Sequence, residues 1–216
     1  MENKLELPVY FGIKAGMTRV FNSAGVHMPV TIIKIIPNFI SQVKTKDKEG
    51  YAAYQVSYLE KKKKLVNKPT RGHLNKAGVS GDFTKFSEVR LRDSDADASN
   101  LGKQISLDMF KADVIVDVSS VSKGKGFQGV IKKHHFAGGP AAHGSHFHRH
   151  PGAIGNRATP ARVFAERKMP GHMGCENVTI KNQKIVEVNE EKGYLLIKGV
   201  VPGSLNTIVK ITKAGK

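Results

Sequence analysis

The sequence is nearly free of cysteine, and Cys175 is the single one among 216 residues. One cysteine cannot form an internal disulfide, which is compatible with a reducing compartment. The first residues, MENKLELPVYFG, lack the apolar region of a signal peptide and the Arg- and Ser-rich character of a transit peptide. We therefore expect a cytoplasmic protein.

Long apolar runs are also missing. No stretch approaches the roughly 20 apolar residues that a membrane-spanning helix needs, so we expect no membrane partner. The hydrophobic content of 39% is sufficient for a core, while 35 Lys and Arg against 18 Asp and Glu give a net charge of +17. Such an excess indicates nucleic acid or an anionic membrane surface as the partner. Because the charge is not concentrated on one amphipathic helix, nucleic acid is the favoured interpretation.

Acidic residues are absent between 118 and 165. These 48 residues contain no Asp or Glu, whereas the composition of the whole chain predicts about four. Between Lys123 and Cys175, nine Lys and Arg occur with one acid, Glu166, and seven of the nine histidines lie there as well. This quarter of the chain therefore carries about half of the net charge.

The same segment has few large apolar residues. Between Ala137 and Arg162, only Phe147 and Ile154 could contribute to a core. Such a segment cannot bury enough apolar surface to offset the entropy lost when it becomes ordered. We predict that an external and strongly anionic partner orders it, and a polyphosphate backbone fits best.

The sequence on both sides of this segment has the pattern of β-strands. Short β-branched runs separated by turn signals occur from Val9 to Pro37, at Phe39–Val43, at Tyr51–Leu59 and from Val178 to Ile211. This spacing predicts a mainly β fold, a sandwich or a barrel. We assign 1–121 and 176–216 to this body and 122–175 to a long extended basic loop.

Residues 65–100 are predicted to form a small α+β insertion within the body. It contains a short helix at Thr70–Gly78, a strand at Phe83–Leu91 and a flexible acidic loop, DSDADASN. The preceding run, Lys61–Lys64, is either a solvated loop or a phosphate-binding edge, and the sequence leaves both interpretations open.

The glycines of GKGFQG, residues 124–129, match the G-x-G-x-x-G fingerprint of dinucleotide-binding proteins, between a predicted strand and a possible helix at Phe127–Phe136. The fingerprint also requires an acidic residue about twenty positions later to bind a ribose. The next acid is Glu166, and strands and helices do not alternate as a doubly wound sheet requires. We therefore predict that these glycines let the backbone approach RNA phosphates, and we expect no cofactor.

The histidines of the loop raise the alternative of a zinc-dependent nucleic-acid module. Structural zinc sites are normally closed by cysteine ligands, and Cys175 has no second cysteine. The histidines also have no acidic partner nearby that would orient them for acid–base catalysis. We predict no metal, no catalytic residue and no small-molecule substrate.

Basic, imidazole and amide side chains of the loop are the candidate RNA contacts, because they fork onto phosphates, stack on bases or bond to ribose. The four phenylalanines of the loop are too sparse for a platform that stacks single-stranded bases, so folded RNA is the expected partner. The candidates are Lys123, Lys125, Lys132, Lys133, His143, His146, His148, Arg149, His150, Asn156, Arg157, Arg162, Arg167, Lys168 and His172.

Several long motifs in this chain resemble large-subunit ribosomal protein three of the bacterial type. They are KGKGFQGVIKKHHF, AHGSHFHRHPGAIGNRATPARVF and KMPGHMG ahead of VTI, with GIKAGMTRVF near the start and LLIKGVVPG near the end. The resemblance implies a β-barrel of the translation-protein type. It also implies a structural role without enzymatic activity, direct and early binding to large-subunit rRNA, and neighbouring ribosomal proteins as further partners.

The resemblance also implies that the extension reaches toward the peptidyl-transferase centre. Prolines bracket the sequence AIGNRA, and Gly155 can take angles closed to other residues, so we predict a tight turn near Asn156. The predicted tip is Gly155, Asn156, Arg157 and Ala158. Some relatives carry a methylated glutamine before Thr-Pro, where this chain has Ala158, and an asparagine where it has Arg157.

Overall fold

A computed structural model describes residues 4–79, 81–91 and 97–215. Two compact units can be distinguished. The first, which we call the body, consists of Met1–Ser120 and Val178–Lys216. The second, the basic unit, consists of Val121–Asn177.

Strands are the main regular structure of the described residues, and helices are few and short. The strands are β1 (Lys4–Leu5), β2 (Val9–Phe21), β3 (His27–Ile35), β4 (Phe39–Lys44), β5 (Ala53–Glu60), β6 (Phe83–Arg90), β7 (Gln104–Ile105), β8 (Ile115–Val121), β9 (Gly126–Gln128), β10 (Gly171–Met173), β11 (Asn177–Asn189), β12 (Tyr194–Lys198) and β13 (Ile208–Lys213). The helices are α1 (Lys46–Glu49), α2 (Lys68–Lys76) and α3 (Val130–His134), with 3-10 turns at Lys63–Leu65 and Ala98–Asn100. Within the described ranges, no helix has both the length and the apolar character needed to cross a bilayer.

Six strands of the body close into a barrel in the order β11-β12-β3-β2-β13-β8. Closure leaves no unpaired strand edge, and alternate side chains point into the core. Strand β13 shows this alternation, since Val209 and Ile211 are buried while Lys210 between them is not. The prediction of a mainly β fold built on a barrel is confirmed.

A second, five-stranded sheet has the order β1-β7-β4-β5-β6. The sequence predicted that Phe39–Val43 and Tyr51–Leu59 form a hairpin of the barrel. The hairpin is confirmed, since β4 and β5 pair with each other, but it lies in this separate sheet and not in the barrel. Strand β5 also pairs with β6, which belongs to the predicted insertion 65–100. Because β5 is buried on both faces, its apolar pattern does not indicate which strands lie beside it.

Helix α2 lies at the predicted helix Thr70–Gly78 and is shifted by two residues toward the N-terminus. Its Leu74 packs with Ala77, Val79 and Phe83 in a small core of its own. Residues 92–96, which include part of the predicted acidic loop, lie outside the described residues.

One hydrophobic core joins the barrel to the second sheet within the body. Phe11 of β2 stacks on Tyr58 of β5 with ring centroids 4.4 Å apart. Tyr10 is buried, and its hydroxyl donates to the carbonyl oxygen of Ile36 at 2.7 Å. Burial raises the pKa of the Tyr10 hydroxyl, so it remains a donor. The body is therefore stabilised in the ordinary way, by packed apolar side chains.

Candidate nucleic-acid interface

The two ends of the basic unit run side by side as a stem, residues 122–128 and 171–176. Strand β9 pairs antiparallel with β10. The pairing is extended by hydrogen bonds from the Lys125 N–H to the Met173 carbonyl at 2.9 Å and from the Ser122 N–H to the Glu176 carbonyl at 2.8 Å. Lys123 and Lys125 are thereby held on one strand of a short ribbon.

Glycines allow the two strands of the stem to approach closely. Gly174 has a φ of +81°, and a Cβ there would lie 2.2 Å from the carbonyl oxygen of Lys123. A Cβ on Gly124 would lie 2.8 Å from the Sγ of Cys175. The glycine-rich motif thus belongs to an antiparallel ribbon, not to the parallel strand–turn–helix unit that binds dinucleotides.

The helix predicted at Phe127–Phe136 is shorter than expected. Helix α3 covers Val130–His134, and His135 ends it with a φ of +58°. Val130 is buried, while Lys132 is exposed and Lys133 half-buried. The helix therefore places two predicted RNA contacts on consecutive residues next to the stem.

The histidine-rich loop is ordered by its own backbone and by one phenylalanine. The Gly139 N–H donates to the His148 carbonyl at 2.7 Å, and the His150 N–H donates to the Phe147 carbonyl at 2.9 Å. Phe147 packs so closely on Gly139 that a Cβ there would lie 2.8 Å from its ring. These contacts hold the imidazoles of His143, His146, His148 and His150 at the surface, where all four are exposed.

The structure places no three metal-binding side chains together. In the described part of the chain, no group of three or more His, Cys, Asp or Glu residues could hold a metal ion. The imidazoles of the loop are thus spread along the surface, an arrangement suited to separate contacts with an extended partner.

The segment from Ala153 to Arg167 surrounds an open cleft of about 430 Å³. The Arg162 guanidinium lies over the ring of Phe164, 5.2 Å from its centroid. The Arg167 guanidinium donates to the Ala153 carbonyl and so fixes one side of the cleft. The cleft combines cations with an exposed aromatic face, as expected for a contact with RNA.

The chain bends at Gly155 and at Arg157, on both sides of Asn156, and a turn follows at 158–160. Gly155 has no positive φ, contrary to the expectation. The left-handed positions are Gly152, with a φ of +80°, and Ala161, with a φ of +58°. The chain therefore bends near Asn156 as predicted, but the left-handed angles lie at the borders of the bracketed sequence and not at its glycine. Asn156, Arg157 and Ala158 are all exposed.

The charges of the basic unit are unpaired within the unit. All of its residues are described, and its nine Lys and Arg form no ion pair with its two carboxylates, Glu166 and Glu176. Eight of the nine cations are exposed, and Val130 is the unit's one buried residue. An array of this kind is suited to bind many phosphates of an ordered polyanion.

Comparison with known proteins identifies the family. The sequence model described as Ribosomal protein L3 matches residues 93–194, which include the whole basic unit. A large ribosomal subunit protein uL3 from Finegoldia magna is 49% identical over 206 residues, covering 95% of this chain and 97% of the relative. The uL3 proteins of Bdellovibrio bacteriovorus and Oceanobacillus iheyensis are 44% and 46% identical, covering 97% and 95% of this chain and 94% and 96% of the relatives.

The chain belongs to the ribosomal protein L3 family. The resemblance noted in the sequence motifs is confirmed. The prediction that the chain is no enzyme is confirmed as well, because the members of this family are structural proteins of the ribosome.

The structure adds two aromatic residues to the candidate interface of this family member. Phe127 is 76% exposed in the stem, and Phe164 is 60% exposed beside Arg162. In the sequence, both are simply two of the four sparse phenylalanines of the loop. The sequence did contain a signal for these two residues, because a phenylalanine in a segment without a core cannot be buried and remains available to a partner.

Proposed function

We propose that this family member is a structural protein of the large ribosomal subunit that binds the large-subunit rRNA directly through the basic unit. It helps to start assembly of the subunit, and it contacts neighbouring ribosomal proteins in the cytoplasm. Family membership supports the ribosomal role, and the naming of relatives as large-subunit proteins supports the subunit.

The observation that carries the RNA contact is the imbalance within the basic unit. Nine cations and two carboxylates lie on 57 residues that bury a single side chain. Mutual repulsion opposes any compact arrangement of such a unit in isolation. Phosphates remove the repulsion and supply the contacts that a core would otherwise provide, so the unit and folded RNA stabilise each other.

The exposed cations and imidazoles named as candidates are the proposed contacts. Those of the stem and of α3 neutralise phosphates near the base of the unit. Arg149, Arg157 and Arg162 are able to fork onto phosphates or stack on bases, since a guanidinium is planar and always charged. The imidazoles hydrogen-bond to ribose or stack on bases.

The family resemblance supports a further part of the proposal, in which residues 155–158 approach the peptidyl-transferase centre. Peptide-bond chemistry then belongs to the RNA, and Arg157 braces a phosphate or base without touching substrate. Arg157→Glu should leave assembly largely intact but change the peptidyl-transfer rate or the sensitivity to drugs that bind this centre. Ribosomes that match wild type in both assays would remove this part of the proposal.

Co-sedimentation tests the RNA contact directly. The purified chain should remain with large subunits through a high-salt wash, and a variant with a Gly/Ser linker in place of 122–175 should not. The variant must still show a cooperative thermal transition, because the core of the body is outside the replaced segment. A folded variant that is retained like the wild type would refute binding through the basic unit.

A further inference from the structure

A second cleft, which we call the sheet cleft, lies in the body and has a volume of about 360 Å³. It is formed where strand β4, helices α1 and α2 and the 3-10 turn at Ala98–Asn100 meet. The lining residues are Ser41, Gln42, Val43, Lys48, His73, Lys76, Ala77, Ala98 and Leu101. The volume lies within the range of small-molecule sites, about 300–1,000 Å³.

Close backbone packing shapes one wall of the sheet cleft. Gly102 has a φ of +79°, and a Cβ there would lie 2.7 Å from the carbonyl oxygen of Ala77 at the end of α2. The Gly102 N–H donates to the carbonyl of Ile40 at 2.9 Å. The wall is therefore fixed, and it presents Leu101 with 42% of its surface exposed.

A hydrogen-bond network at the sheet cleft determines which groups remain for a ligand. The Gln55 amide oxygen accepts from the Ser41 hydroxyl at 2.9 Å and lies 2.8 Å from Nε2 of His73. Because an amide oxygen only accepts, His73 must donate from Nε2. In a neutral His73 ring, Nδ1 is then unprotonated. Because His73 lines the cleft, this nitrogen is the atom that could accept a hydrogen bond from a ligand.

The charges that line the sheet cleft have one sign. Lys48 and Lys76 are exposed, and no carboxylate is among the lining residues. Of the acids nearby in sequence, Asp47 beside Lys48 is exposed, and two others have partners in the chain. Glu49 accepts the Thr45 N–H at 3.1 Å, and Asp97 accepts the Ser99 N–H at 2.9 Å. A further cleft of the body, about 340 Å³ in volume, has Asp108, Glu187 and Glu190 in its lining, so the sheet cleft is the better match for an anion.

We propose that the sheet cleft binds one unpaired nucleotide of RNA. Lys48 and Lys76 contact the phosphate, the apolar wall with Leu101 lies against the base, and His73 accepts a hydrogen bond from the base or ribose. This inference rests on the proposed function, since it assumes that the chain lies on rRNA. It adds an RNA contact made by the body, in which an apolar wall and a defined hydrogen-bond acceptor recognise an unpaired base.

The first test measures the salt dependence of binding to large-subunit rRNA by filter binding. Loss of one phosphate contact lowers the slope of log affinity against log salt by about 1. Because Lys48 and Lys76 contact the same phosphate, Lys48→Ala combined with Lys76→Ala should lower the slope by about 1. Lys192→Ala is the matched control, because its neighbours Glu190 and Glu191 disfavour RNA and its slope should equal that of the wild type.

Chemical probing of the rRNA in reconstituted subunits is the second test. One or two unpaired nucleotides protected by the wild type should become reactive with the double variant and with Leu101→Asp, but not with Lys192→Ala. A photoreactive amino acid at position 101 should crosslink to rRNA. Crosslinks to a protein would instead identify a protein occupant and overturn the proposal.

The outcomes separate this inference from the function on which it rests. If the wild type fails to bind the rRNA, the proposed function is wrong. If the wild type binds and the folded double variant keeps both the slope and the protections, only the nucleotide site is refuted. Thermal melting checks the fold of each variant, and the exposed Lys48 and Lys76 should leave it unchanged.

Discussion

The body and the basic unit are ordered by different physics. Of the 32 buried hydrophobic residues in the described part of the chain, 31 lie in the body and one, Val130, lies in the basic unit. Full burial of a Val, Leu, Ile or Phe side chain contributes about 1.5–3 kcal/mol. The body gains this contribution many times, whereas the basic unit gains it once.

The backbone angles show the same contrast. Six of the ten described non-glycine residues with positive φ lie in the basic unit, and they are His135, His143, His148, Ala161, Glu166 and Cys175. The left-handed conformation costs a non-glycine residue about 1–2 kcal/mol. A unit with one buried side chain has little with which to offset this cost, which is the reason for proposing that a partner contributes to its order.

A pair of isoleucine substitutions should give the largest difference in stability between the two units. Ile197 is fully buried in the barrel, and Ile154 is 44% exposed in the basic unit. Ile197→Ala should lower the free energy of unfolding by about 2–5 kcal/mol, because it removes buried methylene groups and leaves a cavity. Ile154→Ala should change it by less than about 0.5 kcal/mol.

Urea denaturation followed by far-UV circular dichroism measures both variants. Equal losses of stability would mean that the basic unit has a core of its own and that the contrast between the units is wrong.

Removing positive charge from the basic unit should weaken rRNA binding and leave the stability of the body unchanged. Replacing Lys123, Lys125, Lys132 and Lys133 by Ala should lower the salt slope for rRNA binding by about 3–4, since each phosphate contact contributes about 0.7–0.9. The thermal transition of the body should stay where it is. Replacing Lys61–Lys64 by Ala is a charge-matched comparison that also decides whether that run is a solvated loop or a phosphate-binding edge.

A slope near zero in the intact protein would contradict an electrostatic interface. A fall in the melting temperature of the quadruple variant would show that these lysines stabilise the fold as well.

A substitution in the stem should act on the basic unit alone. Gly174→Ala forces a Cβ toward the Lys123 carbonyl in a left-handed conformation, so the two strands must separate. The Lys125 amide, which donates across the stem, should then exchange its hydrogen faster. Gly144→Ala is matched in backbone, with a φ of +71°, but its Cβ would meet nothing within 4 Å.

Hydrogen exchange should therefore rise in the stem for Gly174→Ala and stay near wild type there for Gly144→Ala, with the body protected in both. Loss of protection across the body would show that the stem and the body unfold together.

The contrast between the units was predictable from the sequence, and so was the pairing of β4 with β5 as neighbouring strands. The absence of acids between 118 and 165 and the scarcity of apolar residues are properties of a continuous segment, and they indicate an uncompensated charge directly. Alternation within a short segment likewise predicts strands such as β13. The separate sheet was not predicted, because the outer partners of this pair, β7 beside β4 and β6 beside β5, depend on contacts between distant segments.

The sites show the same limit. The candidate RNA contacts lie in one segment and could be named from it, but the left-handed angles near the tip were assigned to Gly155 and lie at Gly152 and Ala161 instead. The sheet cleft was not predicted at all, because its lining comes from four separated parts of the chain, 41–43, 48, 73–77 and 98–101. None of these parts has a motif of its own.

The smallest expected effect concerns a network of charges on the second sheet. The Lys44 ammonium lies 2.5 Å from the Glu88 carboxylate, and the Tyr51 hydroxyl donates to Glu88 at 2.9 Å. The hydrogen bond from Lys44, and after it the one from Tyr51, has the largest effect in lowering the pKa of Glu88. The hydrogen bond to Glu88 in turn raises the pKa of Lys44. The two shifts stabilise the folded protein around neutral pH.

The directions of these two pKa shifts determine the pH range in which the network stabilises the fold. A lowered carboxyl pKa contributes stability above the ordinary value, about 4.3, and the contribution is lost as the pH falls through the folded pKa. A raised lysine pKa contributes stability below its ordinary value, and this contribution is lost as the pH rises through the folded pKa.

Glu88→Gln should therefore lower the melting temperature slightly at neutral pH and flatten its decline in acid. Glu176→Gln, which removes a carboxylate that has no ion pair within the basic unit, should do neither. Melting curves of both variants between pH 3 and 7 check this, and an acid limb that is equally steep in Glu88→Gln and the wild type would show that this network contributes nothing to the stability of the body.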